Sequence, residues 1–399
     1  MSVYHCPLCP LIFQYRTEVE WHLREEHRSG SDEEADLRAE LRAAASPLGW
    51  ERLQELRSAV DHPSVSLLVA TTPASSMSVL DVARLRQLAD RARRRLPAEP
   101  GQGTAVPVIE HRLSRAVASA EGSPTDRGLV LLVNQRHIAI VPLPFEPRDR
   151  AVVDRAFATR DLEYTLQRYP VFRVLVLGSS PRILEGRGRD LAEVGVRDLE
   201  TRSDPEPHDV DALLDEHIHV SGKLPLVVIG DRRRLSAFRD HSRHAHSITA
   251  EVHKPRTRII PFDQLAQQAL ARWRRDQQDT VMAELQRAEA VDHVTWGLVA
   301  AWRAVTAGSA ERIWVEHDFA HPGRIVSGAD GIQLTSDPAE PGAVDDLVDT
   351  LISKAHSRGA RVDLLDKGAL GRHEPIAVKI AGPDRQAGAS DEFAVCGAA

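Results

Sequence analysis

Cys6 and Cys9 stand two residues apart near the start of the chain; His22 follows after twelve more residues, and His27 after a further four. No other feature constrains folding so tightly. Two thiolates from a β-hairpin and two imidazoles about one helical turn apart can close a tetrahedron around one metal ion, and C-x2-C-x12-H-x4-H is the spacing of a ββα zinc finger. The filler agrees: Tyr4, Phe13 and Val19 occupy the small-core positions of such a module. A unit of this size has too little apolar surface to fold alone, so Zn²⁺ bound by Cys6, Cys9, His22 and His27 would supply its folding free energy. The expected finger spans residues 1–28.

The remaining sequence is of a different kind. A chain of 399 residues holds several folded units. Three cysteines in that length exclude a disulfide framework and fit a reducing compartment. The first residues show no basic region followed by an apolar run, and no apolar stretch approaches the ~20 residues needed to span a bilayer. The expectation is a cytoplasmic protein with no membrane partner. A net charge of −7 argues against indiscriminate nucleic-acid binding but leaves room for a local basic face.

Residues 29–47 open with Ser29-Gly-Ser-Asp-Glu-Glu-Ala-Asp36 and read as an acidic linker followed by a short helix. Residues 48–125 read as an α/β domain, with strand Val65–Ala70, an arginine-rich helix Val79–Leu96 and a helix Ile109–Ala120. Residues 126–255 read as a second domain. It opens with a hairpin, Gly128–Val133 and His137–Val141, and continues through a helix near Leu162–Arg168. Strands Phe172–Leu177, Arg182–Glu185 and Leu226–Ile229 follow, with helices Asp209–His219 and Arg233–Asp240. Residues 256–382 read as an α/β/α sandwich that begins with a long helix from Phe262. The composition of residues 383–399 fits a disordered tail.

This order of units resembles the bacterial branch of the archaeo-eukaryotic peptide-chain release factor family. The segments that carry the resemblance are Val65-Ser-Leu-Leu-Val-Ala-Thr-Thr-Pro73, Gly128–Val133, Phe172–Leu177 with Pro181–Gly186, Pro225–Gly230, and Gly359–Leu365 before Ile376–Ile380. The resemblance, which is to release-factor and Pelota-like architecture, covers roughly residues 48–382. It implies a ribonuclease-H-like middle domain, a C-terminal domain like the small ribosomal proteins that bind kink-turn RNA, and the ribosome as partner through ribosomal RNA or tRNA. The finger lies outside the shared pattern. A terminating release factor carries a Gly-Gly-Gln loop, and this chain has no Gly-Gly-Gln and no Asn-Ile-Lys-Ser decoding motif. Where an extended middle-domain loop would sit, it offers His217-Ile-His-Val-Ser-Gly-Lys223. The resemblance therefore points to a non-enzymatic factor that occupies the ribosome in stress, hibernation or rescue. The alternatives are a peptidyl-tRNA or RNA hydrolase with an atypical loop, and a zinc-finger regulator binding DNA or a protein.

Candidate RNA contacts follow from charge placement. Arg84, Arg91 and Arg95 share one helical face, and Arg94 adjoins them. The alternative for this set is a solvated face paired with Asp81 and Asp90. A second stretch holds Arg232, Arg233 and Arg234 and runs on to Arg239, Arg243 and His244. A third holds Lys254, Arg256 and Arg258. Together they would form an electropositive surface suited to an RNA backbone. Sequence-specific DNA reading by the finger is disfavoured, because Tyr15, Thr17, Glu18 and Trp21 include no purine-pairing side chain. His217, His219, His241, His244 and His246 read as surface histidines rather than a second metal site.

The spacing predicts one Zn²⁺ per chain by elemental analysis, lost on Cys6→Ser or His22→Ala, with residues 48–382 still folded by circular dichroism. Global unfolding of the cysteine variant would refute an independent finger.

Overall fold

The computed structural model describes residues 4–5, 12–13, 28–96, 105–187, 190–196, 207–221, 224–254, 262–326, 331–337, 340, 342–371 and 373–381. The four expected zinc ligands and the expected tail lie outside them. The chain divides into two compact units, Met1–Ala158 and Thr159–Ala399.

The first unit begins with a short antiparallel pair, β1 (Tyr4–His5) and β2 (Ile12–Phe13), with Tyr4 opposite Phe13. Then come α1 (Arg28–Ala44), α2 (Trp50–Ser58), β3 (Ser64–Ala70), α3 (Val79–Arg95), α4 (Ala105–Glu121), β4 (Gly128–Val133), β5 (Ile138–Leu143) and β6 (Arg150–Asp154). The sheet order is β5-β4-β3-β6, antiparallel throughout. Val65, Leu67 and Val69 of β3 point to one face, with Leu129, Leu131 and Val133 of β4 beside them. They form one core with Leu85, Leu88 and Ala92 of α3 and Ile109, Leu113 and Val117 of α4. Buried Asn134 shapes the β4–β5 turn, its side-chain oxygen accepting the N–H groups of Arg136 and His137 at 3.0 and 2.8 Å.

Two expected boundaries move. The segment read as an acidic linker is helical from Arg28, because Leu37, Leu41 and Ala44 form a stripe that packs on the first unit's core. Once that anchor is fixed, extending the helix through a polar stretch costs little. The hairpin assigned to the domain at 126–255 belongs to the first unit. β3 is an inner strand and needs a partner on each side, and β4 and β6 fill those places.

The second unit contains α5 (Arg160–Arg168), β7 (Phe172–Val176), β8 (Arg182–Arg187), β9 (Asp190–Val196), α6 (Pro207–Ser221), β10 (Leu226–Gly230), α7 (Arg232–His241) and β11 (Ile248–His253). It continues with α8 (Phe262–Glu289), β12 (Val294–Trp296), α9 (Leu298–Ala307), β13 (Ala310–Glu316), β14 (Gly323–Ile325), β15 (Ile332–Leu334), α10 (Leu347–Ser357), β16 (Arg361–Leu365) and β17 (Ile376–Ile380). One sheet has the order β11-β10-β7-β8-β9, an antiparallel meander to which β10 and then β11 add in parallel. The apolar residues of α6 and α7 cover one face, and Leu265, Ala266, Ala269 and Leu270 of α8 cover the other. A second sheet has the order β12-β17-β13-β16. Trp314, Leu365 and Ala377 meet Leu285 and Ala288 of α8 on one face; Ile313, Val315 and Val378 alternate to the opposite face, where α9 and α10 pack.

The expected boundary at 255/256 therefore does not divide two domains. α8 was assigned wholly to the C-terminal domain, yet its first half completes the core of the preceding sheet. The helix expected near 162–168 also changes allegiance. α5 lies along β16, and Gln167 donates to Val362 O at 2.9 Å while accepting from Leu364 N at 2.8 Å. This side chain satisfies the open edge of β16 as a neighbouring strand would. Among the described residues no helix is long and apolar enough to cross a membrane.

A Cβ added at Gly128 would lie 2.3 Å from Pro147 Cδ and 2.7 Å from Phe145 O. Gly128→Ala should therefore destabilise the first unit by about 1–3 kcal/mol through overpacking. Hydrogen exchange should rise in β3 and β4 and stay unchanged in β13 and β16.

Candidate nucleic-acid interface

Three parallel strands, β7, β10 and β11, end side by side. Leu177 N donates to Ile229 O at 2.7 Å, and Lys254 N donates to Gly230 O at 2.9 Å, so the chain leaves all three strands at one edge. Gly230 permits this closeness, since a Cβ there would sit 3.1 Å from Leu177 Cβ. The residues that follow are Gly178-Ser179-Ser180 after β7, Asp231-Arg232-Arg233 after β10, and Lys254 after β11. The carboxyl edge of parallel strands is where open α/β sheets present ligand-binding groups.

Among the described residues that directly follow these three strands, the one carboxylate, Asp231, is already engaged. Asp231 caps α7, accepting from Arg234 N at 2.9 Å, and also pairs with the Arg234 guanidinium at 3.2 Å. Arg232 and Arg233 are exposed, with no ion pair among the described residues. Lys254 places its ammonium 4.0 Å from the centre of the Phe262 ring, a contact that fixes the side chain without neutralising it. The rest of the second basic stretch is neutralised. Arg239 makes a two-bond pair with Glu251, Arg243 pairs with Asp215 at 2.5 Å and Asp211 at 3.6 Å, and His244 meets Asp215 at 2.9 Å. Arg256 and Arg258 lie outside the described residues.

The arginine face expected on α3 separates into two kinds of residue. Arg84 is committed to the protein: it contacts Asp81 at 2.5 Å and Asp149 at 3.8 Å. Asp81 is fully buried. Burial alone would raise its pKa, but the hydrogen bonds from Thr72 N, Ser78 and Arg84, with the Arg84 charge, hold it below the usual carboxylate value. Arg95 reaches Ala151 O at 3.5 Å, while Arg91 and Arg94 are exposed with no ion pair among the described residues. Of the alternative pairings with Asp81 and Asp90, Arg84–Asp81 forms, whereas Asp90 is taken at 2.7 Å by Arg93, which is outside the candidate set.

Cys6, Cys9, His22 and His27 cannot be placed, since they lie outside the described residues, but β1 and β2 flank the two cysteines in sequence as an antiparallel pair. Three of the histidines hold backbone carbonyls, and among the described residues no group of three or more metal-ligating side chains gathers. His217 contacts Leu213 O and Val194 O at 2.9 and 3.1 Å, His241 contacts Ala237 O, and His246 contacts Arg243 O. The segment taken for the place of an extended loop is helical through Ser221, so His217 stacks over Gly195 of β9 from within α6.

Sequence reasoning passed over Arg272, Arg274 and Arg275 in the middle of α8. Arg274 stacks over Tyr169 at 4.7 Å, and Arg272 and Arg275 are exposed. The run Arg272-Trp-Arg-Arg275 was the available signal. The buried pair of Arg160 with Asp346 at 2.8 Å gave no sequence signal, since its partners are remote in the chain.

Residues 208–309 match the family described as bacterial archaeo-eukaryotic release factor family 3. No curated protein matches the chain. Among solved structures, the archaeal translation termination factor aRF1 is similar at 15% identity, covering 83% of this chain and 96% of that one, with a TM-score of 0.24. Pelota of Archaeoglobus fulgidus is similar at 14% identity, covering 84% and 92%, with a TM-score of 0.32. Dom34 of S. cerevisiae, described as a translation termination-like factor in RNA quality control, is similar at 10% identity over 65% and 75%, with a TM-score of 0.39. The matched segment, which resembles bacterial archaeo-eukaryotic release factor family 3, contains Arg232, Arg233 and Lys254.

Proposed function

We propose that this protein is a cytoplasmic, ribosome-associated translation factor that binds RNA and catalyses no peptide release, acting in stress, hibernation or rescue. The observation that carries the reading is the cationic edge of Arg232, Arg233 and Lys254, which make no ion pair among the described residues and lie inside the segment that matches the release-factor family. Cations without carboxylate partners at a sheet edge suit a phosphate backbone, which rewards charge and tolerates sequence variation. The lack of Gly-Gly-Gln removes the loop that would position water on a peptidyl ester, and α6 occupies residues 207–221 as a helix.

The meander β7-β8-β9 followed by parallel β10 and β11 supports a ribonuclease-H-like reading of the middle region, with its boundaries moved to begin near Phe172 and to include the first half of α8. The C-terminal sheet with helices on both faces supports the likeness to RNA-binding ribosomal proteins. A zinc finger at residues 1–28 adds a docking module for ribosomal RNA or protein.

Ribosome pelleting tests the edge. Arg232→Glu, Arg233→Glu and Lys254→Glu together should weaken binding more than tenfold and reduce the slope of log affinity against log salt by about 2. Stability should change little, because the cap residue Asp231 is retained. Pelleting equal to the parent across salt would remove this edge from the interface. Arg91→Glu with Arg94→Glu provides the matching test on α3. Arg84 is left out, because reversing its charge would set a carboxylate beside buried Asp81.

Purified protein should release no peptide from stalled ribosomes. Multiple turnovers of peptidyl-tRNA hydrolysis would replace the binding role with a hydrolase.

A further inference from the structure

α5 is a helix of nine residues in which Arg160, Asp161, Leu162, Glu163, Tyr164, Thr165, Leu166 and Arg168 are all buried. Only Leu162 and Leu166 are aliphatic, and Tyr164 stacks on His317 at 4.0 Å; most of the remaining contacts of the helix are polar. Arg160, 1% exposed, pairs with Asp346 at 2.8 Å. Glu163 meets His356 at 3.0 Å, and Tyr164 donates to Asp366 at 2.7 Å. Arg168 reaches Asp366 and Gln278, both at about 3 Å. Gln167 bonds to the backbone of β16 as described above.

The N-terminus of this helix is capped from elsewhere. Its own N-cap residue, Thr159, makes no side-chain cap. Instead the carboxylate of Asp349, on α10, accepts Arg160 N at 3.1 Å. Asp346 serves two helices, accepting Val348 N at the start of α10 and binding the Arg160 guanidinium. An isolated helix of nine residues is marginal in water even with a cap, so α5 has a reason to be helical only while it lies against residues 346–366.

The seam is also suited to opening. Burying ions costs solvation that their mutual attraction offsets only in part. Burial would lower the Arg160 pKa, and the carboxylates of Asp346, Asp349 and Asp161 raise it instead, so the guanidinium stays charged. Its Nε finds no hydrogen-bond partner among the described residues. On release, water re-solvates these groups, whereas an apolar seam of equal area would gain nothing comparable.

α5 sits between the last strand of the first unit, β6, and the first strand of the next sheet, β7. We propose that α5 is a conditional helix, folded only while docked on α10 and β16, whose release converts the connection between β6 and β7 into an extended tether. Nine residues span about 14 Å as a helix and up to about 30 Å when extended. Release would therefore lengthen the span that residues 160–168 can cover by on the order of 15 Å.

Hydrogen exchange by mass spectrometry on the full chain tests this. In Asp349→Ala, residues 160–168 should exchange at least tenfold faster than in the parent, with β13 and β17 unchanged. Asp349→Asn, which keeps a capping oxygen, should stay within about threefold of the parent. If Asp349→Ala does not fold, Gln167→Ala supplies the same comparison, with Leu364 N–H expected to lose protection alongside α5. Unchanged protection of α5 in both truncations would show a helix stable by itself. Loss of protection throughout β13, β16 and β17 together with α5 would show an ordinary part of the core. Either result overturns the proposal.

Discussion

The second unit depends on one helix serving two cores. α8 runs for 28 residues, about 42 Å. Neither sheet of this unit could close without it. Leu265, Ala266, Ala269 and Leu270 seal the face of the five-stranded sheet left bare by α6 and α7, and Leu285 and Ala288 seal the face of the four-stranded sheet opposite α9 and α10. A rigid rod shared in this way ties the two sheets mechanically, because a helix with good hydrogen bonding along its length bends little without a proline or an inserted group. Trp273 marks the transition, packed edge-on against Phe172 at 5.4 Å.

Electrostatics follow a second logic. The chain is rich in arginine, yet much of that charge is spent on structure. Arg84, Arg86, Arg112, Arg173, Arg239, Arg243 and Arg312 each meet a carboxylate. Arg173 is buried in β7, where Glu185 and the backbone carbonyl of His217 receive it. The exposed pairs among these are screened by solvent and add little to stability, but each engages an arginine that could otherwise meet a phosphate. Among the described residues, Arg91 and Arg94 of α3, Arg232 and Arg233 of α7, and Arg272 and Arg275 of α8 are exposed with no ion pair.

Much of the fold was legible. The buried strands at 65–70, 128–133, 172–177, 226–229 and 376–380 were apolar runs bounded by turn residues, and each is a strand in the structure. α10 ends at Ser357, just before Gly359, which adopts φ +77 where a side chain would be strained. What failed was grouping. A hairpin such as β4–β5 carries no mark of which sheet it joins, since its pattern only demands a partner strand, and β3 supplied one. α8 likewise carries an apolar stripe with no sign that two different sheets share it.

The sequence by itself determined where many of the strands and helices form, the Cys/His spacing at residues 6–27, the absence of a Gly-Gly-Gln tripeptide, and a family resemblance that residues 208–309 bear out. These are local properties, set by side-chain periodicity, turn residues and motif spacing. Only the tertiary structure decided which arginines are available. Arg84 and Arg232 look alike in sequence, yet one stabilises a buried carboxylate and the other stands at a sheet edge whose single acidic neighbour is occupied as a helix cap. The same holds for Arg160, whose partner Asp346 lies 186 residues away. Pairing between charges distant in the chain depends on how the elements pack, and a pattern read along one strand or helix contains none of that information.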